Sequence, residues 1–156
     1  ISHSVKESLK KDDSDLEHLK LRIATLSLND KKSILKGYDS YKQLCITCHG
    51  PDLKGVTTES GIAIAPSLIG SPRVIGSKDK LSKILLHGLI GPIEGKEYGI
   101  MTPYKSNNDR WITDVLSYIR AMNDADAIHI RVIRNARRET KDREDYWTLE
   151  ELEKEK

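Results

Sequence analysis

The sequence predicts an all-α domain with long ordered loops, on three observations. Apolar residues recur at three- and four-residue spacing in several separate stretches. Capping residues stand just ahead of those stretches. Between them lie segments rich in Gly and Pro, and strand-period alternation of useful length is missing, as is any internal repeat. The 156 residues suffice for one domain with extensions, and 37% hydrophobic content supports a modest core without any Phe. A net charge of +2 gives no global basicity that would point to nucleic acid. The best apolar run, "LSKILLHGLIGPI", is short and interrupted by Lys83 and His87, so no membrane span is expected. The chain begins at Ile1 without a signal-like apolar region and reads as a processed or excised piece of a longer protein.

Taken in order, residues 1–13 are polar and aperiodic and read as linker or frayed terminus. Ser14 and Glu17 have the spacing of a capping box, ahead of an amphipathic helix over 15–27 carrying Leu16, Leu19, Ile23 and Leu26. Asn29 and Asp30 interrupt it and can cap a helix over 31–44, with Ile34, Tyr38, Tyr41 and Cys45 on one face. Residues 50–76 hold five Gly and three Pro and read as an ordered loop. Ser77 caps a helix over 78–87 whose inward residues are Leu81, Ile84 and Leu85, with Gly88 as its stop. A second Gly/Pro loop, 88–107, carries Met101. Asn108 caps a helix over 109–122 with Trp111, Val115, Tyr118, Ile119 and Met122 on one face. A basic helix follows around "DAIHIRVIRNARRET", and Thr148 with Glu151 caps a short acidic finish. The implied division is 1–30 as an N-terminal extension, 31–123 as the main domain and 124–156 as a C-terminal helical extension.

The whole thiol inventory sits in "QLCITCHG": Cys45, Cys48 and, directly behind, His49. Three chemistries use such a stretch. A closed zinc site needs four ligands, and His3, His18, His87 and His129 are not spaced as a second pair. A thioredoxin-like redox pair expects a βαβ context, which the helical pattern lacks. Covalent haem attachment asks for what is present: two thiols on one helical turn to meet two vinyl groups, and an imidazole behind them to bind iron. Haem is the favoured reading, and using both thiols suits an oxidising compartment.

At these residues the chain resembles the small class I cytochromes c, with the strongest likeness to cytochrome domains at the ends of bacterial quinoprotein-type and membrane-bound dehydrogenases. The resemblance covers about residues 33–122, more weakly to 156, through "GYDSYKQLCITCHG", "APSLIGSPRVIG", "LLHGLIGPIEGKEYGIMTPY" and "WITDVLSYIRAM". It implies a small cytochrome c fold, helices around one covalently bound haem c, with N- and C-terminal helical extensions. Gly37 and Tyr41 match a small residue and an aromatic where the first core helix crosses the last, Val115 and Tyr118 being the facing partners. Asn107 departs from a frequent Leu of the family, and tyrosines stand in for the missing Phe.

The resemblance also implies the site. Cys45 and Cys48 would form the thioethers and His49 the first iron ligand, with Met101 in "MTPY" as the second. Met122, His87 and an open coordination position are the other candidates. Pro66 in "APSL" would accept a hydrogen bond from the His49 ring through its carbonyl, and Leu68 would pack on the haem. Arg73, Tyr98 and Trp111 are candidates to meet a propionate. The basic run Arg131, Arg134, Arg137, Arg138, Lys141 and Arg143 reads first as a solvated face, with docking to an acidic partner as the sharper option. The expected function is single-electron transfer in the bacterial periplasm, from a dehydrogenase as redox partner protein to a respiratory acceptor. A haem-based ligand sensor or peroxidase-like domain with a labile sixth ligand is the alternative.

Overall fold

The computed structural model describes residues 2–155. The chain forms two compact units, Ile1–Lys32 and Ser33–Lys156. All named elements among the described residues are helices: α1 (His3–Arg22), α2 (Leu28–Leu44), α3 (Ile46–His49), α4 (Pro72–Ile75), α5 (Lys78–His87), α6 (Asp109–Ala121), α7 (Ile130–Glu139) and α8 (Leu149–Lys154). Extended pairing is limited to isolated bridges.

In the first unit the helix begins at His3, not after Ser14, and the expected linker is helical. Residues 3–22 contain neither Gly nor Pro and are rich in Lys and Leu, so nothing interrupts propagation. Ser14 and Glu17 therefore sit within the helix rather than at its start. Leu19 and Ile23 are buried, whereas Val5, Leu9 and Leu21 are exposed. The next helix starts earlier than expected, with the Ser27 hydroxyl accepting from the Asp30 N–H at 3.1 Å, so Asn29 and Asp30 lie inside α2 rather than capping it.

The second unit is organised around α6, buried without interruption from Ile112 to Ala121. Its internal polar side chains bond locally: the Thr113 hydroxyl donates to the Asp109 carbonyl at 2.7 Å, and the Ser117 oxygen accepts from Ile128 N–H at 3.0 Å. Tyr118 meets both aromatic residues of α2, with ring centroids 5.6 Å from Tyr38 and 5.3 Å from Tyr41. Helices α4, α5 and α7 also pack against α6, and α7 against α5. The expected caps are present: Ser77 accepts from Lys80 N–H at 3.1 Å, Asn108 from Trp111 N–H at 2.8 Å, and Thr148 and Glu151 form a reciprocal capping box. Helix α4 is a one-turn element inside what the sequence presented as loop.

Two buried cations tie these helices together. Arg120, 4% exposed, donates to the carbonyls of Val74, Ile75 and Gly76 at the end of α4 and to that of Asp126. Lys83 lies among Asp79, Glu139 and Glu155, at 2.9, 3.1 and 3.1 Å. Burial acts to lower the Lys83 pKa, but the hydrogen bonds its ammonium donates to these carboxylates outweigh it and hold the group charged. In the basic run Arg131, Arg134, Arg138 and Lys141 are exposed, whereas Arg137 and Arg143 are half-buried and engaged within the fold. Arg137 bonds Asp109 and the carbonyls of Lys105 and Asn107, while Arg143 pairs with Glu151 and covers the Trp147 ring at 3.4 Å.

Candidate functional site

Cys45 ends the run of α2, with its N–H donating to the Tyr41 carbonyl at 2.9 Å. Its own carbonyl then accepts from Cys48 N–H at 3.3 Å and His49 N–H at 2.9 Å, closing the single turn of α3. That turn brings two thiols and an imidazole to one short stretch of backbone. The chain next folds back: Gly55 N–H reaches the His49 carbonyl at 2.8 Å, and Leu68 N–H reaches the Leu53 carbonyl at 2.7 Å. Tyr41, buried between α2 and α6, donates its hydroxyl to the Gly50 carbonyl at 2.5 Å.

Both thiols and the imidazole line one open-mouthed cleft of about 190 Å³. Cys45, Cys48 and His49 form one wall, together with Pro66 and Leu68 from the returning loop. Leu81, Ile84, Leu85 and Leu89 contribute another, so the inward face expected for α5 is a cleft wall. Arg73, Tyr98 and Met101 also line it. All eight site residues expected from the sequence therefore meet in one place. The walls are mainly apolar, with few polar groups, as cofactor clefts commonly are.

The remaining candidates lie elsewhere. Trp111 is not among the lining residues; its ring stacks on Tyr104, which is, at 5.5 Å between centroids. Met122 and His87 are also outside the lining. His87 is buried, and its Nε2 lies 2.7 Å from the Thr140 hydroxyl, so it anchors α5 to the end of α7. His129 is the N-cap of α7, its Nδ1 accepting from Arg131 N–H at 3.2 Å. Arg73 reaches Glu94 at 3.4 Å, an ion pair the sequence did not suggest.

Burial, and then the neighbouring Cys48, push the Cys45 thiol up to about 12, so Cys45 is not poised as a thiolate, while Cys48 is exposed. Among the described residues no group of three or more His, Cys, Asp or Glu could hold a metal ion. The Nδ1 of His49 is buried without a hydrogen-bond partner. Burial lowers the pKa of this imidazole, and the Pro66 carbonyl opposes that shift from a position short of full hydrogen-bond geometry. The His49 imidazole, the two thiols and the Met101 thioether all line one mainly apolar cleft, a donor set that fits a covalently held haem.

Sequence reasoning missed two residues that hold this site. Asn123 donates to the Leu68 carbonyl at 3.1 Å and accepts from Gly70 N–H at 2.8 Å, tying the "APSLIG" loop to the end of α6. Arg120, one turn earlier, holds α4 as described above. A polar residue at or just past the C-terminal end of α6 was the only local signal for either.

Fold and cleft together define a small helical haem protein. Residues 34–123 match the family model described as Cytochrome c, and the chain belongs to that family. It is a haem-based electron-transfer cytochrome, an electron carrier rather than an enzyme, carrying covalently bound c-type haem. No curated protein matches the chain. Among the described residues no helix is long and apolar enough to cross a membrane.

Proposed function

We propose that the chain holds one haem c, joined through Cys45 and Cys48 and ligated by His49 and Met101, and that it passes single electrons from a dehydrogenase to a respiratory acceptor in the periplasm. The convergence of two thiols, one imidazole and one thioether on a single apolar cleft carries this reading. When bound, the haem supplies a one-electron iron couple, whose potential is raised by a thioether donor and by exclusion of water. The chain's own contribution is to hold those donors still. The α3 turn fixes the thiols and His49, Pro66 orients the imidazole, and Leu68 closes the cleft beside it. Arg73 and Tyr98 are the polar lining residues assigned to the propionates. The Arg73 pair with Glu94 leaves that assignment open to exchange, because the Glu94 side chain is 69% exposed and readily displaced.

Leu44, Ile64 and Ile100 line the cleft yet remain exposed, which supports an apolar rim for brief contact with a redox partner protein. The ligand-sensor alternative finds no distal imidazole in the lining, since His87 is engaged with Thr140. Absorption spectra of the oxidised and reduced protein test the proposal. The expected result is covalently retained haem with a weak Met–iron charge-transfer band, lost in Met101→Ala. Persistence of that band in the variant would remove Met101 from the assignment, and rapid carbon monoxide binding by the untreated reduced protein would favour the sensor.

A further inference from the structure

The segment that carries Met101 is held from the far side by the C-terminal extension. Leu89 forms an antiparallel bridge with Met101, through Met101 N–H to the Leu89 carbonyl at 2.9 Å and Leu89 N–H to the Met101 carbonyl at 3.3 Å. Leu89 also forms a parallel bridge with Trp147, through Trp147 N–H to the Gly88 carbonyl at 3.0 Å and Ile90 N–H to the Trp147 carbonyl at 2.8 Å. Residues 88–90 thus run between the two, with all four bonds provided by backbone. Gly88 makes the arrangement possible. Its φ is +78°, and a Cβ there would overlap the Met101 carbonyl.

Trp147 is itself firmly seated. It is 3% exposed and belongs to one cluster with Ile84, Leu89, Ile93 and Leu152, against which Met101 and Tyr98 pack. Arg143 covers its ring and joins Glu151 on α8 at 3.0 Å, and Lys83 on α5 reaches Glu155 beyond α8 at 3.1 Å. The indole N–H is buried without a partner, so the ring and the backbone of this residue matter, not its donor.

We propose that Trp147 is a positioning residue for the Met101 thioether: the extension from Arg143 to Leu152 acts as a brace that fixes residues 88–90 and thereby the loop presenting the sixth ligand. The inference rests on Met101 being that ligand. An unbraced loop of this kind lets the thioether leave the iron at little cost, whereas a braced one keeps it in place through both oxidation states.

The full-length holoprotein tests this with Trp147→Ala, Trp147→Phe, Arg143→Gln and Met101→Ala. The readouts are carbon monoxide association with the reduced protein, the reduction potential, and loss of the Met–iron band on heating, followed beside far-ultraviolet circular dichroism. Trp147→Ala is expected to bind carbon monoxide at least about tenfold faster, to show a lowered potential, and to lose the band well below the temperature at which its helices melt. Trp147→Phe keeps an aromatic ring beneath Arg143 and is expected to recover most of the wild-type values. Arg143→Gln should shift the band loss in the same direction by a smaller amount. A folded Trp147→Ala with wild-type association rate and band overturns the brace. Should Trp147→Ala fail to fold, Arg143→Gln decides: band loss ahead of helix melting supports the brace, and coincident loss overturns it. A band retained in Met101→Ala refutes the ligand assignment and the brace with it, whereas a band lost there but unmoved in the Trp147 and Arg143 variants refutes the brace alone.

Discussion

The α carbon of Gly37 on α2 lies against the main-chain carbonyl of Asp114 on α6, so close that an added methyl group would overlap that oxygen and stand 2.8 Å from the Tyr118 Cβ. The helix that leads into the Cys45–His49 turn and the central helix are in contact through this point. Tyr38, next to Gly37, and Tyr41, one turn further along α2, both pack on the Tyr118 ring. Because the obstruction is backbone, no rotamer change relieves it. Gly37→Ala should therefore cost about 3 kcal/mol, the upper end for inserting one methyl group into a packed interior. Urea unfolding of the holoprotein measures it, and a stability within about 0.5 kcal/mol of wild type would show that the helices can separate freely.

The proposed attachment through Cys45 and Cys48 predicts a graded response to their removal. Cys48→Ala leaves the buried Cys45 to hold the haem by one bond, and the pigment should stay with the polypeptide in acidified organic solvent. Cys45→Ala/Cys48→Ala should release it into the extract. Retention of colour by the double variant would contradict covalent attachment at this pair.

Asp114 is 3% exposed and accepts a hydrogen bond from the Ser33 hydroxyl at 2.6 Å. Burial raises its pKa, with the Ser33 hydrogen bond, Arg110 and Lys36 acting in the opposite direction. The native state therefore holds this proton to higher pH than the unfolded chain does. Stability contributed by the protonated form is present below the ordinary carboxylate range and declines as pH rises through the raised value. Asp114→Asn keeps an acceptor for Ser33 and removes the titration. Its stability measured from pH 3 to 7 should lack that decline, and a slope equal to wild type would place the titration elsewhere.

Arg120 satisfies four main-chain carbonyls from within the core. Arg120→Met fills much of the same volume but leaves those oxygens without donors, and should cost about 3 kcal/mol. Arg120→Lys supplies charge without the planar fork and should recover only part of the loss. Thermal unfolding would register both, and a methionine variant as stable as wild type would mean that water replaces the guanidinium.

Much of the framework could be read from local pattern. Ser77, Asn108 and the pair Thr148 and Glu151 announced three helix starts, because a cap is a contact between residues three apart. Gly37 and the cysteine pair were equally legible, each carrying its meaning within a few positions. The first part of helix α1, ahead of the helix expected from residue 15, was not, since its polar opening lacks an apolar stripe while still containing nothing that stops a helix. Helix α4, a single turn between Pro72 and Gly76, was hidden by the same residues that signal a loop. His87 read as a remote ligand candidate, and only its approach to Thr140, 53 positions away, shows it to be an anchor.

The sequence by itself determined the cofactor chemistry and the helical class, because thiols, imidazole and caps act over one or two turns of chain. Tertiary structure alone decided that Arg120 and Asn123 hold the loops of the cleft, and that Trp147 lies across Leu89 from Met101. Those contacts join backbone groups far apart in sequence, and a main-chain N–H or carbonyl looks the same in every residue that carries one. Which ones meet is set by how the helices pack.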